Sequence, residues 1–487
     1  MKQLKDILFG VQIEAIQGST AQAINAVQFD SRKVTTGDLF VAINGEQVDG
    51  HNYINKAIEN GALAIVCQEK PQNSNTNQVV WITTKNSREA LAILASNYFD
   101  CPSAKLKLVG VTGTNGKTTV TSLLHRLFEK AGYATGLLST ISVKYSGNEI
   151  NATHTTPDPL QINAHLSDMV AAGVEYCFME VSSHGIDQER IQGLVFVGGV
   201  FTNLSHDHLD YHNNFAAYRN VKKRFFDALP KTAFALTNAD DKNGAFMLQN
   251  TAAKSLTYGL KGYSDFKAKI LEAQFSGMLL VIDQQEVWTS LLGQFNAYNL
   301  LAVYAVAQEL GLTSIETLSI ISELGNVKGR FQTYTTPNNA TVIVDYAHTP
   351  DALANVLSTI AEIRTKNETL TTVVGCGGNR DQAKRPLMAE VAAKHSDKVI
   401  FTADNPRDED PESIIDEMEK GVRPEDYKKT LRISNRKSAI KAACMELKAG
   451  DVLLVAGKGH ENYQEIKGER LPFDDYTIVK EICKQLF

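Results

Sequence analysis

The sequence predicts an α/β protein built on parallel sheets and divided into about three domains. Apolar runs that suit buried strands recur with helical segments between them, which is typical of parallel sheets. These runs cover residues 176–181, 199–202, 342–345, 370–374, 399–402 and 452–456. The length of 487 residues exceeds a single core and, at about 150 residues a domain, suggests three domains. With 43% hydrophobic and 21% charged residues, the composition is that of an ordinary globular protein.

Charge and composition argue against several classes of function. The chain has 49 basic and 55 acidic residues, a formal net charge of −6, whereas nucleic acids and anionic membranes attract basic surfaces. It has no run of about 18 apolar residues and no long apolar segment near its start, so neither membrane insertion nor secretion is expected. The six cysteines lack C-x-x-C spacing, which argues against structural zinc and a disulfide framework. We therefore predict a cytoplasmic protein.

Two breaks divide the chain. Pro102 and Ser103 precede a strand-like run, and a new series of strands, turns and helices begins just after Gly329-Arg330-Phe331. We therefore expect domains at residues 1–103, 104–330 and 331–487.

Residues 110–119, Gly-Val-Thr-Gly-Thr-Asn-Gly-Lys-Thr-Thr, have the composition of a phosphate-binding loop. A strand is predicted at 106–111, and the apolar residues after the loop follow helical spacing: Val120, Leu123, Leu124, Leu127 and Phe128. In this arrangement backbone N–H groups surround phosphate oxygens, Lys117 adds positive charge and the Thr118 hydroxyl can ligate Mg²⁺. Val111 stands where the strict pattern has glycine, so the match is to the shorter Gly-x-x-Gly-Lys-Thr form. A glycine-rich surface turn is the alternative.

Acidic and histidine side chains follow two of the predicted strands. Glu180 closes one strand at the edge where open α/β sheets bind ligands, and its carboxylate can hold Mg²⁺ or cap a helix. Residues 206–212 contain three histidines and two aspartates. Such a cluster can bind zinc, can bind magnesium with mixed ligands beside a phosphate loop, or can be a set of surface side chains.

Other polar motifs each allow two interpretations. The basic residues 222–224, taken alone, indicate a solvated charge run. Asn296, at the start of a predicted helix, can bind a nucleotide base or cap the helix. Asp345, where a strand ends, suits ribose hydroxyls, and residues 375–381 only partly match a dinucleotide fingerprint. The cations that can form either a carboxylate-binding cluster or separate surface ion pairs are Arg380, Arg407 and Lys458.

Taken together and in order, the motifs along the chain resemble those of the Mur ligase family. They are Gly-Thr-Asn-Gly-Lys-Thr-Thr (113–119), Met-Glu-Val-Ser-Ser-His (179–184), Asn-Leu-Ser-His-Asp-His-Leu-Asp-Tyr-His (203–212), Gly-Gln-Phe-Asn-Ala-Tyr-Asn (293–299), Gly-Arg-Phe-Gln (329–332), Asp-Tyr-Ala-His-Thr-Pro (345–350) and Ala-Gly-Lys-Gly-His-Glu (456–461). The resemblance covers essentially the whole chain. It implies an N-terminal UDP-binding domain, a central parallel-sheet ATPase domain that carries the phosphate loop, and a Rossmann-like C-terminal domain that brings an amino acid.

The activity that the resemblance implies is ATP-dependent amide formation in peptidoglycan precursor synthesis. ATP phosphorylates a carboxylate, and an amine then attacks the acyl phosphate. The chemistry agrees, because phosphate leaves more readily than carboxylate oxygen, and transfer between anions needs Mg²⁺ and lysine to offset repulsion. The implied substrates are UDP-MurNAc-L-Ala-D-Glu and meso-diaminopimelate. A monomer is the default expectation.

The same resemblance assigns nucleotide and metal residues. Those expected around ATP are Gly113, Thr114, Asn115, Gly116, Lys117, Thr118, Thr119, Asn296, Arg330, Asp345 and His348. Those expected to hold Mg²⁺ are Thr118, Glu180, His208 and Lys222. The implied catalytic residues are Lys117, Glu180, His208 and Lys222. Lys222 matches a family lysine that is carbamylated, which turns a cation into an anion and reverses the interpretation as a solvated charge.

Substrate residues follow from the resemblance as well. The uracil and diphosphate region matches Ser31, Glu46, Gln47 and Val48, and the sugar and peptide contacts match His154, Thr155, Thr156, Ser182, Gln188 and Arg190. The pocket for the added amino acid matches Arg380, Asp404, Asn405, Pro406, Arg407, Gly457 and Glu461.

The motif Asp404-Asn405-Pro406-Arg407 resembles that of the diaminopimelate-adding members, in which an arginine faces the distal carboxylate. L-Lysine has only an ammonium there, so Arg407 would repel it, while Glu461 could bind the distal ammonium of diaminopimelate. The alternatives are the same ligation with L-lysine, a sister ligase, a catalytically inactive nucleotide-binding scaffold and a simple phosphate-loop kinase.

Overall fold

The computed structural model describes residues 1–45, 48–71, 79–205, 211–212, 214–365 and 367–487. Within these ranges the chain forms three α/β regions in order, each built on its own main sheet. Three of the predicted site residues, Glu46, Gln47 and His208, lie outside the described residues. In the part of the chain that is described, no helix is long and apolar enough to cross a membrane.

The N-terminal region has a mixed five-stranded sheet and a separate two-stranded sheet. Its strands are β1 (Lys2–Gln3), β2 (Ile13–Gln17), β3 (Ala23–Ile24), β4 (Val27–Gln28), β5 (Leu39–Val41), β6 (Ala64–Cys67) and β7 (Val80–Thr84), and its helices are α1 (Leu4–Ile7), α2 (Ile54–Glu59) and α3 (Ser87–Tyr98). The sheet order is β2-β7-β6-β5-β4, with β4 to β7 parallel. Leu39 and Val41 join one apolar cluster and Phe40 joins another, as expected of a strand covered on both faces.

The central region carries the largest sheet. Its strands are β8 (Lys107–Thr112), β9 (Thr135–Leu138), β10 (Ser142–Tyr145), β11 (Asn148–Asn151), β12 (Tyr176–Glu180), β13 (Gly198–Phe201), β14 (Phe234–Asn238), β15 (Lys254–Gly259), β16 (Phe266–Gln274), β17 (Gly277–Ile282) and β18 (Gln285–Thr289). Its helices are α4 (Lys117–Lys130), α5 (Pro159–Ala171), α6 (Ser183–Asp187), α7 (Phe215–Asp227), α8 (Gly244–Leu248), α9 (Gln294–Glu309) and α10 (Ser314–Glu323). The order is β11-β10-β9-β12-β8-β13-β14-β15-β16-β17-β18.

Strand β8 lies between β12 and β13 and runs parallel to both. The chain therefore leaves β8 on one side and later returns on the other. In open α/β sheets the carboxyl ends of strands at such a point form the crevice where ligands bind. The turn after β8 is thus placed at the expected position for a binding site.

Helix α4 follows that turn and packs as the sequence predicts. It begins at Lys117, and the side chains expected on its apolar face are fully buried: Val120, Leu123, Leu124, Leu127 and Phe128. Because these side chains hold the helix against the sheet, its N-terminus stays at the carboxyl edge of β8.

The C-terminal region has a further sheet, which is parallel except for an antiparallel edge strand. Its strands are β19 (Gln332–Thr335), β20 (Thr341–Asp345), β21 (Leu370–Val374), β22 (Lys398–Phe401), β23 (Thr430–Arg432), β24 (Val452–Ala456), β25 (Tyr463–Ile466) and β26 (Glu469–Pro472), and its helices are α11 (Pro350–Ile363), α12 (Lys384–His395), α13 (Pro411–Glu419), α14 (Arg436–Met445) and α15 (Asp475–Leu486). The order β19-β20-β24-β21-β22-β23 includes the strands predicted from residues 342–345, 370–374, 399–402 and 452–456. Strands β25 and β26 form a separate hairpin.

A buried ion pair joins α14 and α15 beneath the end of β24. Arg436 donates to both carboxylate oxygens of Asp475, at 2.9 and 2.7 Å, and to the carbonyl of Ala456 at 2.9 Å. Both charged side chains are 0% exposed. We expect Asp475→Asn to lower the unfolding free energy of this region by about 3–5 kcal/mol, because it leaves a buried guanidinium without its counter-charge. Thermal unfolding measures this.

The matched control is Glu446→Gln. Glu446 pairs with Lys398 at 2.7 Å, but both side chains are more than half exposed. Its loss should cost less than about 1 kcal/mol, since water screens such pairs. Equal shifts in the two variants would contradict the stabilising role of the buried pair.

Candidate active site

Gly113 and Gly116 give the phosphate loop a backbone shape that other residues would strain. Their φ angles are +148° and +91°, in the region that favours glycine. A Cβ on Gly113 would lie 2.0 Å from Thr202 Oγ1, and one on Gly116 would lie 2.6 Å from Asn299 Oδ1. The loop therefore fits closely between the end of β13 and the first turns of α9.

Asn203, just after β13, holds this loop from the side. Its carbonyl accepts the Thr114 N–H at 2.9 Å, and its Oδ1 accepts the Asn115 N–H at 3.0 Å. Thr118 and Thr119 are buried in the first turn of α4. The predicted nucleotide residues from 113 to 119 thus form one continuous, anchored segment.

Two lysine side chains converge on one carbonyl of the loop. Lys117 Nζ donates to Gly113 O at 2.9 Å and to Thr114 O at 2.7 Å. Lys222 Nζ reaches the same Gly113 O at 3.0 Å from helix α7, and its side chain is 1% exposed. Each ammonium group brings positive charge to the loop, and positive charge attracts an anion. The arrangement suits a phosphate group.

The interpretation of residues 222–224 as a solvated charge run is wrong for Lys222 and Lys223. They are 1% and 7% exposed, and Lys223 pairs with Asp227 one turn along the helix. Helical spacing explains the burial, since Lys222 shares its face with the buried rings of Tyr218 and Phe225. The helical spacing of these residues in the sequence indicates that Lys222 is buried.

Glu180 ends β12 beside the phosphate loop and is 0% exposed. It lies opposite Val111 in the neighbouring strand β8. Its two oxygens accept hydrogen bonds from the Thr140 N–H at 2.7 Å and the Thr140 hydroxyl at 3.1 Å. Thr140 therefore fixes the orientation of a carboxylate that faces the strand edge.

Arg330 links the C-terminal region to the phosphate loop. Its Nη2 donates to Thr118 Oγ1 at 3.2 Å, and its guanidinium lies 4.5 Å from the ring centre of Tyr346. The rings of His348 and His460 also lie against Tyr346, at 4.6 and 4.8 Å. Burial, together with the nearby Arg330, lowers the pKa of His460 to about 3, so this imidazole is neutral near neutral pH.

Asp345 and Asn296 are placed nearby but already bond to the protein. Asp345 accepts the N–H groups of Phe331 at 2.6 Å and Ala347 at 2.8 Å. Burial raises the pKa of Asp345, and Arg330 partly offsets this. Asn296 is buried, donates to Leu292 O at 2.8 Å and accepts from Asn299 within α9. Both side chains shape the walls of the site in this state.

A second predicted set gathers around the end of β12. Thr156 Oγ1 donates to Glu180 O at 2.9 Å and accepts the Ser182 N–H at 3.0 Å. Arg190 donates to Thr156 O at 2.6 Å and twice to Gln188 Oε1, at 3.0 and 2.6 Å. The remaining members are Thr155, whose hydroxyl oxygen lies 3.0 Å from that of Thr140, and the exposed His154.

The predicted residues of the N-terminal region lie on separate loops. Ser31 starts a short 3-10 turn, and its carbonyl accepts from Asn60 at 2.8 Å. Val48 is 54% exposed. This region packs on the central one through Ser96 Oγ, which donates to Gly193 O at 3.1 Å.

A third set lies at the carboxyl ends of β22 and β24. Asp404 and Asn405 are buried, and a Cβ on Gly457 would lie 2.6 Å from Asp404 Oδ2. Asn405 donates to Glu461 Oε2 at 2.8 Å. The carbonyl of Pro406 lies so near Gly378 that only glycine fits there. Sequence positions about fifty residues apart thus form one pocket.

Arg407 is held in a defined direction within this pocket. Its φ is +52°, an uncommon value for a residue with a side chain. Nη1 donates to Gly378 O at 2.8 Å, and Nε lies 3.4 Å from Glu465 Oε2 on strand β25. A Cβ on Gly377 would meet Arg407 Nη1 at 3.0 Å and Arg380 Cγ at 3.8 Å, so the two arginines flank the same glycine.

Sequence reasoning missed several residues that build the site. They are Thr140, Asn203, Tyr346, His460 and Glu465. Asn203, Tyr346 and His460 stand inside the motifs that carry the family resemblance, although the sequence analysis assigned them no role. Thr140 and Glu465 lie outside the motifs and contact Glu180 and Arg407, which are distant in sequence, and local composition carries no signal for such contacts.

Comparison with known proteins agrees with this geometry. Three family models match the chain: the Mur ligase family catalytic domain at residues 23–99, the Mur ligase middle domain at 111–307, and the Mur ligase glutamate ligase domain at 329–459. A protein of Cytophaga hutchinsonii named UDP-N-acetylmuramoyl-L-alanyl-D-glutamate–2,6-diaminopimelate ligase is 53% identical over 484 residues, 99% of each chain. A protein of the same name from Parabacteroides distasonis is 53% identical over 480 residues, again 99% of each chain.

Solved structures give the same result. A structure with that ligase name has a TM-score of 0.70 and 33% identity, and the match covers 99% of both chains. MurF from Acinetobacter baumannii shares the fold with a TM-score of 0.62 at 17% identity, covering 99% of this chain and 97% of its own. The predicted α/β class and three-domain architecture are confirmed. The chain belongs to the Mur ligase family.

Proposed function

We propose that this enzyme is an ATP-dependent ligase that joins meso-diaminopimelate to the D-glutamate of UDP-MurNAc-L-Ala-D-Glu in peptidoglycan precursor synthesis. The observation that carries the proposal is the site around Arg407, where Gly378 O and the partly buried carboxylate of Glu465 hold a guanidinium in the same protein as the phosphate loop. Full-length relatives at 53% identity carry the name of this activity.

We propose ATP and Mg²⁺ as cofactors, and the residues fit them. The ammonium group of Lys117 lies at Gly113 O, where it would meet a phosphate, and Lys222 Nζ, which would carry the carbamate, reaches the same carbonyl. Among the described residues no group of three or more His, Cys, Asp or Glu side chains forms a metal cluster. Mg²⁺ does not need one, because it accepts hydroxyl, phosphate and water oxygens beside a single carboxylate.

Thr118 and Glu180 are the described residues that would hold Mg²⁺, together with a carbamylated Lys222 and with His208, whose role stays a prediction from the sequence. When bound, ATP supplies the phosphoryl group that activates the substrate carboxylate, and Mg²⁺ neutralises the charge that builds up. The loop N–H groups and Lys117 orient the phosphates. Arg330 adds a cation from the C-terminal region at Thr118.

We propose separate binding roles for the N-terminal region and for the part of the central region around the end of β12. Ser31 and Val48, with Glu46 and Gln47, would contact the uridine diphosphate end. The residues that would contact the sugar and dipeptide, and so bring the D-glutamate carboxylate to the phosphate loop, are His154, Thr155, Thr156, Ser182, Gln188 and Arg190. The support is their gathering around the end of β12 next to Glu180. Domain limits at 1–103, 104–330 and 331–487 follow the same division.

The C-terminal pocket would orient the incoming amine for attack on the acyl phosphate. Arg407 and Arg380 present guanidinium groups suited to the distal carboxylate, and Glu461 presents a carboxylate suited to the distal ammonium. The floor between these side chains would be formed by Asp404, Asn405, Pro406 and Gly457. L-Lysine would bring an ammonium to Arg407 and be repelled.

Phosphate release tests the proposal. We expect ATP turnover only when UDP-MurNAc-L-Ala-D-Glu and meso-diaminopimelate are both present, with one phosphate released for each amide formed. Omission of either substrate, or replacement of diaminopimelate by L-lysine, is the control. Equal or faster turnover with L-lysine would reject the assigned amino acid, and failure to bind adenine nucleotide would indicate an inactive scaffold.

We also propose a cytoplasmic monomer that binds no nucleic acid. The net charge of −6 and a composition without a basic bias support the absence of nucleic-acid binding. Sedimentation at assay concentrations measures the oligomeric state.

A further inference from the structure

Lys458 is a buried cation at the centre of the C-terminal pocket. Its side chain is 0% exposed, and its Nζ donates to Asn405 Oδ1 at 2.9 Å and to Glu461 Oε2 at 2.9 Å. Asp404 Oδ1 lies 3.7 Å away. The ammonium therefore forms a buried ion pair with the protein's own acceptors, which differs from both sequence-based interpretations, a carboxylate-binding cluster and a surface ion pair.

The contacts around Lys458 form a closed network. Asn405 Nδ2 donates to the same Glu461 Oε2 at 2.8 Å, and Asn405 Oδ1 also accepts the Glu465 N–H at 2.9 Å. A buried charge is stable only when it is paired and hydrogen-bonded, so each member fixes the others. The network ties the loop after β22 to the loop after β24 and to the hairpin that holds Arg407.

The same contacts determine the local charge around Lys458. Asp404 and Glu461 bring two negative charges next to Lys458, which cancels one of them, so these three side chains together carry a charge of −1. Glu461 uses Oε2 for both bonds, and its Oε1 has no hydrogen-bond partner among the described residues. That oxygen is available to the ammonium of an amino acid.

We propose that Lys458 is a positioning residue that orients Glu461 and offsets one of the two carboxylate charges beside it. This inference rests on the proposed function. By orienting Glu461, Lys458 would favour a substrate that carries an ammonium group next to a carboxylate. Lys458 acts through Glu461 and Asn405 and does not touch the substrate itself.

The test uses Lys458→Met, which keeps a side chain of similar length and removes its charge. Lys458→Arg is the conservative variant. We expect Lys458→Met to raise KM for diaminopimelate about tenfold to a hundredfold, while KM for ATP stays within about twofold. Lys458→Arg should recover part of the loss. Lys441→Met, on the exposed face of α14, is the matched control and should behave as wild type.

Combination with Glu461→Gln separates positioning from general damage. Because both residues act through one contact, the KM increase in the double variant should be clearly smaller than the product of the single increases. Unchanged KM for diaminopimelate in Lys458→Met, or independent effects in the double variant, would overturn the proposal.

Folding is checked by thermal unfolding. If Lys458→Met does not fold, Lys458→Arg decides: a raised KM for diaminopimelate alone supports the proposal, and wild-type constants reduce Lys458 to a stabilising role and reject it. The proposed function fails in a different way, since wild-type enzyme would then release no phosphate in response to diaminopimelate.

Discussion

Replacement of Lys222 by alanine is expected to lower the rate of amide formation at least about a thousandfold. Lys222 Nζ lies 3.0 Å from Gly113 O inside the phosphate loop and is excluded from water. Alanine removes the nitrogen that carbon dioxide would carbamylate to give a Mg²⁺ ligand. The measurement is steady-state phosphate release with all substrates saturating.

The control for this variant is Lys231→Ala, an exposed lysine just beyond α7 that should leave the rate unchanged. Excess bicarbonate should not rescue Lys222→Ala, because no amine remains to react. Carbon-13-labelled bicarbonate should give a carbamate NMR signal in the wild type that is absent from the variant. A near-normal rate in Lys222→Ala would reject the carbamate proposal.

Replacement of Arg407 by alanine is expected to reduce kcat/KM for diaminopimelate by about thirtyfold to a thousandfold. The guanidinium is held by Gly378 O and Glu465, so a bound carboxylate would lose a charge-assisted bond that is already oriented. Turnover of L-lysine should stay the same or rise, because its ammonium no longer meets a cation. The ratio of kcat/KM for the two amino acids measures the change.

Arg470→Ala is the matched control for this prediction. Arg470 lies on the neighbouring hairpin with its guanidinium 4.5 Å from the ring centre of Tyr463, and it is exposed. It should leave the ratio within about twofold. If Arg407→Ala lowered turnover of both amino acids equally, Arg407 would have a structural role and not a discriminating one.

Local patterns predicted the elements that carry the site. The strand before the loop, the glycine turn and the buried face of α4 follow from residue order, because strand and helix periodicities are properties of neighbouring residues. The same holds for β20 and β24, whose apolar runs end in Asp345 and Ala456. Each of these elements can be predicted from composition and spacing.

Contacts between distant segments could not be predicted in this way. Thr140 binds Glu180 from a turn forty positions earlier, and Lys458 is buried because Asn405 and Glu461 surround it. From the sequence alone, a lysine beside glycines is equally compatible with an exposed ligand contact. Only the packing of β22 against the rest of the C-terminal sheet decides between the two.

Arg330 has a thermodynamic consequence for the affinities of the two ligands. Its guanidinium contacts Thr118 at the nucleotide end and the ring of Tyr346 in the region that would carry the amino acid. Any rotation of that region changes the field at the phosphates, so the two ligands share one free-energy cycle. Whatever factor ATP imposes on the affinity for diaminopimelate, diaminopimelate must impose on ATP.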